Sequence, residues 1–235
     1  MKSRVVGILG GMGPAATADF YLKLIAATPA PREQDHLRVV MWADPTIPDR
    51  QAAILRGGAD PRAALERGVD ILIAAGAEIL VVPCNTAHAF LDEIVAGRPI
   101  EFVSMIDATV DAVVGLAGAS SSRRAGLLAT DGAVACGIYQ AALAEAGIET
   151  LVPSADSQGA LTPLVAAVKT GLHGPDQVAQ LERLIGELGN RGADSVILGC
   201  TELSVLAAQV HVPVPVVDPS QVLAELTVIC AHEFV

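Results

Sequence analysis

The sequence predicts an α/β protein made of two similar parallel-sheet α/β domains. Two observations predict this fold. Short aliphatic runs alternate with helical patterns along all 235 residues, and the landmarks of the first half recur in the second. The composition agrees, because 52% hydrophobic and only 3% aromatic residues are typical of helices packed on aliphatic strands.

Eight short apolar runs are the predicted strands, each of a length suited to a buried strand of a parallel sheet. They lie at residues 4–9, 37–42, 78–82, 100–103, 125–129, 149–152, 195–198 and 214–217. The helices between them are predicted from their boundaries. Asp60 and Pro61 indicate an N-cap followed by proline at the first helical position, and Gly171 and Gly174 indicate a break between two helices.

Three pairs of segments form an internal repeat. VGILG at 6–10 resembles AGLLA at 125–129, GAEILVVPCNT at 76–86 resembles GADSVILGCTE at 192–202, and a proline, a strand and an aspartate recur at 99–107 and 213–218. Such repetition predicts two supersecondary units of one kind. We expect an N-terminal domain of residues 1–105, completed by 218–235, and a C-terminal domain of residues 106–217. The linker is expected in the Gly-, Ala- and Ser-rich stretch 115–122.

Charge and composition argue against several classes of protein. The net charge of −11 and the scattered Lys and Arg argue against nucleic-acid binding, which requires a basic face. The apolar run that follows Lys2 is too short for a signal peptide, and Glu78 interrupts the longest candidate for a membrane span. Four cysteines without C-x-x-C spacing predict reduced thiols in the cytoplasm and no metal site. Because the net negative charge repels an anion at long range, a site for an anionic substrate must carry its own cations.

Two of the cysteines stand at equivalent places in the repeat. Cys84 and Cys200 each follow an apolar strand and precede a helix, so both are expected at the carboxyl edge of a sheet, where ligands bind. The helix N-terminus is expected to lower each thiol pKa from about 8.5. Two thiols facing one carbon suit removal of a proton from one face and its return to the other, which is racemisation or epimerisation.

The alternative for any free cysteine is simple packing in the core. That interpretation is preferred for Cys136 and Cys230, which lie in Ala-rich or Val-rich helical patterns without polar neighbours.

Five motifs resemble the aspartate/glutamate racemase family, and specifically its aspartate racemase branch. They are GILGGMGP at 7–14, DPTIPDR at 44–50, PCNTAH at 83–88, GLLAT at 126–130 and GCTEL at 199–203. They follow the family's order over almost the whole chain, and PCNTAH and GCTE together are specific. The resemblance implies two four-stranded parallel-sheet α/β domains related by pseudo-twofold symmetry, with the active site in the cleft between them. It also implies a small-molecule amino-acid substrate, with aspartate first and glutamate next, and a homodimer. It implies no pyridoxal phosphate, no metal and no nucleotide cofactor.

The resemblance also implies a role for each matching residue. Cys84 and Cys200 would be the acid/base thiols, Cys84 acting on the D-isomer and Cys200 on the L-isomer. Asn85, Thr86 and Thr201 would hold the α-carboxylate of the substrate. Arg50 and Lys169 would hold the distal carboxylate, with Asp49 beside them. Thr130 and the glycine turn around Met12 would line the remaining wall. The plain alternatives are a turn-capping surface residue for Arg50, a solvated helix residue for Lys169 and a helix-face residue without a role for His88.

Two positions depart from the family pattern. Asp44 stands where the family usually has Asn, and Asp131 stands where it has Thr or another neutral residue. A negative charge at either point would weaken dicarboxylate binding or recognise an extra amine. A racemase or epimerase acting on a different amino acid is therefore the alternative function.

Three further functions fit parts of the sequence. The first is an NAD oxidoreductase, because GMGPAA at 11–16 fits the dinucleotide fingerprint G-x-G-x-x-A. The fingerprint requires an acidic residue about 20 positions farther on, at the end of the second strand, and Asp44, which ends that strand, lies farther along than this. Two similar α/β domains also form small-molecule binding proteins without catalysis. A third possibility is an enzyme of the same fold that decarboxylates or isomerises a different acid with one thiol.

Overall fold

Two four-stranded parallel sheets form the framework of this computed structural model, which describes residues 3–116 and 123–232. The first sheet has the order β2-β1-β3-β4 and the second the equivalent order β6-β5-β7-β8. The strands are β1 (Val6–Gly10), β2 (Val39–Ala43), β3 (Ile79–Val81), β4 (Glu101–Phe102), β5 (Arg124–Ala129), β6 (Glu149–Leu151), β7 (Ser195–Gly199) and β8 (Val216–Val217). The predicted fold class is confirmed, and all eight predicted strands are present with small differences at their ends.

Helices connect the strands within each sheet and between the sheets. Those around the first sheet are α1 (Pro14–Ala27), α2 (Arg50–Arg56), α3 (Arg62–Ala74) and α4 (Leu91–Val95), and α5 (Met105–Leu116) follows β4. The second half contains α6 (Asp131–Cys136), α7 (Ile138–Glu145), α8 (Ala155–Lys169), α9 (Pro175–Asn190), α10 (Thr201–Ser204) and α11 (Pro219–His232). Short 3₁₀ helices occur at Glu33–Asp35, Asn85–Phe90 and Ala207–Gln209.

The predicted helix boundaries are close to those observed. The break at Gly171 and Gly174 is confirmed, since α8 ends and α9 begins on either side of it. The start of α3 lies one residue later than expected. Pro61 occupies the cap position, while the Asp60 carboxylate accepts a hydrogen bond from the Arg62 amide at 2.9 Å.

Helices cover both faces of each sheet, and successive side chains along a strand pack against helices on opposite faces. In the first sheet, Leu9 and Leu80 pack against α3, while Val6 and Ile8 pack against α1 and α11. The second sheet follows the same rule, with α8 and α9 on one face and α5 and α7 on the other. Because strands that are covered on both faces bury every residue, β1 and β7 are buried throughout.

Two helices cross between the halves. The helix α5 follows a strand of the first sheet but packs through Ile106, Val110 and Val113 on the second. Conversely, α11 follows β8 of the second sheet but packs through Leu223 and Val228 on the first. This exchange holds the two sheets together, with the carboxyl ends of their central strands at a shared cavity.

The stretch expected as a linker begins inside α5, at Gly115, and its residues 117–122 lie outside the described part of the chain. Among the residues that the structure does describe, no helix combines the length and apolar character needed to cross a membrane.

Candidate active site

Strand ends from both sheets enclose one cavity of about 30 Å³. Its walls come from the loops after β1, β2, β3, β5 and β7 and from the end of α8. The lining residues are Met12, Asp49, Arg50, Gln51, Cys84, Asn85, Thr86, Thr130, Lys169, Cys200, Thr201 and Glu202. The structure thus brings together all ten residues that the sequence analysis placed at the site, Asp49 among them, and adds Gln51 and Glu202 to them. An adjoining chamber of about 460 Å³ lies against the glycine turn and is also lined by Met12, Arg50 and Lys169 among others.

Both thiols in this cavity are free and buried, with Cys84 6% and Cys200 5% exposed. The expected lowering of their pKa is wrong. Burial raises the pKa of Cys84, and burial together with the nearby Glu202 carboxylate raises the pKa of Cys200 well above its usual range. The helical segments after them are a short 3₁₀ turn and the four-residue α10, too short to outweigh the loss of hydration.

A hydrogen-bonded wall next to Cys84 joins the two halves of the protein. The hydroxyl of Tyr139, on α7, donates to Asn85 Oδ1 at 2.5 Å, and the hydroxyls of Thr86 and Thr130 lie 3.1 Å apart. Thr130 also caps α6 by accepting from the Ala133 amide at 3.3 Å. These contacts fix the polar groups of the first half against helices of the second.

Three buried polar atoms in the cavity wall have no hydrogen-bond partner among the described residues. They are Asn85 Nδ2, Arg50 Nε and Glu202 Oε1, which comprise two donors and one acceptor. A buried polar group without a partner costs about 1–3 kcal/mol, so such groups are normally paired. Their convergence on one cavity indicates a small polar ligand with both anionic and cationic parts.

The cationic residues of the cavity lie on the walls formed by α2 and α8. Arg50 is half-buried, and its Nη1 donates to the carbonyls of Ile47 and Pro48 at 3.0 and 2.9 Å. Lys169, in the last turn of α8, is more exposed. Burial tends to raise the pKa of Asp49, but the amides of the first turn of α2 and Arg50 outweigh it and lower that pKa. The cations required beside an anionic ligand are therefore present.

His88 is buried behind Cys84 rather than placed on a plain helix face, contrary to expectation. Its Nε2 accepts from the Met105 amide at 3.1 Å, so Nδ1 carries the proton and donates to the Cys84 carbonyl at 3.0 Å. Burial lowers the pKa of His88 to about 4. The neutral ring therefore links the Cys84 backbone to the start of α5.

Three polar residues at this site had no predicted role. Glu202 was part of a quoted motif, and the repeat contains a signal for it, because it occupies the place that Thr86 has in the first half. Gln51 accepts from the Gly132 amide at 3.3 Å across the two halves, and Tyr139 reaches Asn85 from far along the chain. No sequence pattern indicated either contact.

The departures from the family pattern lie outside the cavity. The Asp44 carboxylate accepts from the Thr46 hydroxyl at 2.6 Å, and that of Asp131 accepts from Gln158 at 2.7 Å. Neither residue lines the cavity wall, and the same holds for Cys136 and Cys230.

The glycine turn after β1 is shaped by close packing. Gly11 has φ +93°, and a Cβ there would lie 2.4 Å from the Asp44 backbone. Its amide donates to the Thr17 hydroxyl at 2.9 Å, so it is already used within the protein instead of being directed at a phosphate. The turn is therefore explained without a dinucleotide. Within the described residues, no group of three or more His, Cys, Asp or Glu side chains is arranged to hold a metal ion.

Comparison with solved structures places this architecture in a known class. The aspartate racemase of Picrophilus torridus superposes with a TM-score of 0.83 at 32% identity, covering 97% of this chain and 94% of that one. A glutamate racemase from Francisella tularensis, solved with D-glutamate, has the same fold at 17% identity, with a TM-score of 0.73 and coverage of 99% and 82%. The fold is thus that of the two-domain α/β racemases.

Sequence comparison gives the family. The model of the Asp/Glu/Hydantoin racemase family matches residues 9–227, and the chain belongs to this family. The broad specificity amino-acid racemase RacX of Bacillus subtilis is 27% identical over 228 residues, which cover 95% of this chain and 96% of that protein. The predicted resemblance is therefore confirmed, and membership supports an isomerase of the amino-acid racemase type.

Proposed function

We propose that this protein is a cofactor-independent racemase that interconverts L- and D-aspartate, with glutamate the next substrate, by proton transfer between Cys84 and Cys200. The observation that carries the proposal is the pair of buried thiols at equivalent strand ends, both lining one cavity that also contains Arg50 and Lys169. The similarity to an aspartate racemase of known structure supports the choice of substrate.

The reaction requires one thiolate and one thiol on opposite faces of the substrate. The thiolate takes the α-proton, so that the Cα–H bond breaks, an S–H bond forms and the electron pair is delocalised into the α-carboxylate. The second thiol then gives its proton to the opposite face of Cα and is left as a thiolate. Because the two sulfurs have exchanged protonation states, the reverse reaction uses the same groups in the opposite order.

The remaining polar residues hold the substrate in this proposal. Asn85 Nδ2, Thr86 and Thr201 bind the α-carboxylate and stabilise the charge that develops on it. Arg50 and Lys169 bind the distal carboxylate. The net charge of the whole chain, −11, would repel a dicarboxylate, and these two cations attract it locally. The two cations also favour thiolate formation, since Arg50 and Lys169 both lower the pKa of Cys84 against the larger effect of burial.

A different amino acid is the alternative substrate. The large chamber beside the cavity supports it, since a side chain longer than that of aspartate would have space past Met12. The relationship to RacX, a protein named for broad specificity, supports it as well. Incubation with each L-amino acid in deuterium oxide, with loss of the α-proton followed by NMR, tests both substrates. If aspartate and glutamate keep their α-protons while another amino acid exchanges, the alternative replaces the proposal.

The proposal includes a homodimer located in the cytoplasm. Exposed apolar side chains on α1, namely Tyr21, Leu22 and Ile25, support an interface on that helix. Light scattering on the purified chain measures the mass directly, and a monomer at micromolar concentration would contradict the dimer.

A further inference from the structure

The two halves differ at the second residue after each thiol. Thr86 follows Cys84, whereas Glu202 follows Cys200. The Cys200 thiol donates to Glu202 Oε2 at 3.0 Å, and the carboxylate is only 3% exposed. Thr86 instead contacts the Thr130 hydroxyl. The two sulfurs therefore have different electrostatic surroundings in an otherwise repeated structure.

The second oxygen of the same carboxylate is left unpaired in a residue that lines the cavity. Glu202 Oε1 is buried and has no hydrogen-bond partner among the described residues. Oε1 lies near the glycine turn, since a Cβ atom added to Gly13 would be 3.1 Å from it. Glu202 lines both the cavity and the adjoining chamber. An acceptor oxygen in this position suits a cationic hydrogen-bond donor on the ligand.

We propose that Glu202 links the ionisation of Cys200 to occupancy of the site. While the site is empty, the carboxylate that accepts the thiol hydrogen bond through Oε2 keeps the proton on the Cys200 sulfur. When substrate binds, Oε1 accepts a hydrogen bond from its α-ammonium group. This inference rests on the proposed function, because it requires an amino acid as ligand. It names the ammonium subsite and the reason why the two thiols are unequal before substrate binds.

Elementary electrostatics gives the direction of the effect. A Cys200 thiolate hydrogen-bonded to a carboxylate places two like charges in a site with little water, which favours the neutral thiol. An ammonium group on Oε1 compensates the carboxylate charge and removes much of this penalty. Cys200 then becomes able to carry the negative charge that turnover places on it.

Other charged groups face the same sulfur. Lys169, from α8, acts in the opposite direction to Glu202 on the pKa of Cys200, although burial and Glu202 have the larger effects. Arg50 and Asp49 lie on the wall formed by the start of α2, and Cys84 lies on the wall after β3. Only Glu202 is hydrogen-bonded to the Cys200 thiol in the described residues.

The first test uses the empty enzyme and no activity measurement. The alkylation rate of each cysteine by iodoacetamide is measured by mass spectrometry from pH 6 to 10 in the parent and in Glu202→Gln. Removal of the charge should increase the rate at Cys200 at neutral pH by about tenfold or more, the rate ratio of one unit of pKa. Cys84, equally buried, is the internal control and should change much less.

A second variant and a pair of ligands complete the test. Glu202→Thr, which copies the residue of the other half, should behave like Glu202→Gln. By calorimetry, the parent should bind 2-methylaspartate, which has no α-proton to lose, more tightly than methylsuccinate, which has no ammonium group. Both variants should lose most of this preference.

Each negative result has a separate meaning. Equal changes at both cysteines, or none, would overturn the proton contact. An unchanged preference for the ammonium ligand in the variants would overturn the ammonium contact. Failure of the parent to bind either ligand would overturn both aspartate as the substrate and the ammonium contact. The alkylation rates are measured without ligand and therefore test the contact between Cys200 and Glu202 independently.

Discussion

Tyr139 and Asn85 form a hydrogen bond of 2.5 Å that crosses from the second half of the protein to the first. The tyrosine is fully buried, and burial raises the pKa of its hydroxyl, so it remains a donor. Because the hydroxyl occupies Oδ1, the amide is held with Nδ2 directed away from Tyr139, as an unpaired donor of the cavity wall. Tyr139 is thus a positioning residue for the group proposed to bind the α-carboxylate.

This relationship predicts the effect of Tyr139→Phe. The loss of one buried hydrogen bond frees the amide to rotate, and kcat/KM should fall by about 2- to 12-fold, which corresponds to about 0.5–1.5 kcal/mol. Steady-state kinetics measures it, and part of the change should appear in kcat, because Asn85 is proposed to stabilise the charge that develops on the α-carboxylate. The control is Tyr21→Phe, an exposed tyrosine on α1, which should have parental kinetics. Parental kinetics for both variants would show that Tyr139 does not position Asn85.

The cationic residues predict selection for a side-chain carboxylate. Lys169→Ala and Arg50→Ala should each lower kcat/KM for aspartate by roughly tenfold to a hundredfold, because a charge-assisted hydrogen bond contributes about 1.5–3 kcal/mol. Lys169→Ala is the cleaner test, since Arg50 also fixes its own loop through Ile47 and Pro48. Arg56→Ala, an exposed cation in the last turn of α2, is the control. If the two site variants handle aspartate as the parent does, the assignment of the clamp is wrong.

His88 predicts a pH dependence of stability. Its pKa is about 4 in the folded protein and about 6.5 in an unfolded chain. Between these values the unfolded chain binds more protons, so the free energy of unfolding falls as pH decreases from about 6.5 to 4, by about 3 kcal/mol from this residue.

Urea unfolding at pH 7, 5.5 and 4.5 measures this slope. His88→Gln should be less stable at pH 7, because it loses the contacts to Cys84 and Met105, yet it should lose less stability on acidification than the parent. His173→Gln, at an exposed position, is the control and should keep the parental slope. Equal slopes in all three proteins would mean that His88 is not buried as a neutral ring.

Short aliphatic runs predicted most of the fold, because a strand that is buried on both faces requires apolar residues at successive positions, and such runs are visible in the sequence. The equivalent positions of Cys84 and Cys200 were predictable for the same reason. The state of these thiols was not, since it depends on burial and on the length of the segments that follow, which are tertiary properties. The contact between Tyr139 and Asn85 joins residues distant in sequence. The domain boundaries at 105 and 218 stay a prediction.

The two-thiol mechanism predicts that each cysteine is needed for racemisation in both directions. An α-proton is a very weak acid, so each direction requires a thiolate on one face and a proton donor on the other. Cys84→Ala and Cys200→Ala should therefore abolish racemisation of either enantiomer, measured by polarimetry or chiral chromatography. Cys136→Ala, at a partly buried cysteine outside the cavity, is the control and should remain active.

The cysteine that remains in each variant still has one reaction available. It can remove the α-proton of the enantiomer it faces and return deuterium from the solvent to the same face, so that exchange occurs without inversion. We expect Cys84→Ala to exchange the α-proton of the L-isomer and Cys200→Ala that of the D-isomer, with NMR in deuterium oxide as the measurement. The reverse pairing would exchange the assignment of the two thiols and keep the mechanism. Exchange of the same enantiomer by both variants, or inversion above a trace by either, would show that Cys84 and Cys200 do not act from opposite faces of Cα.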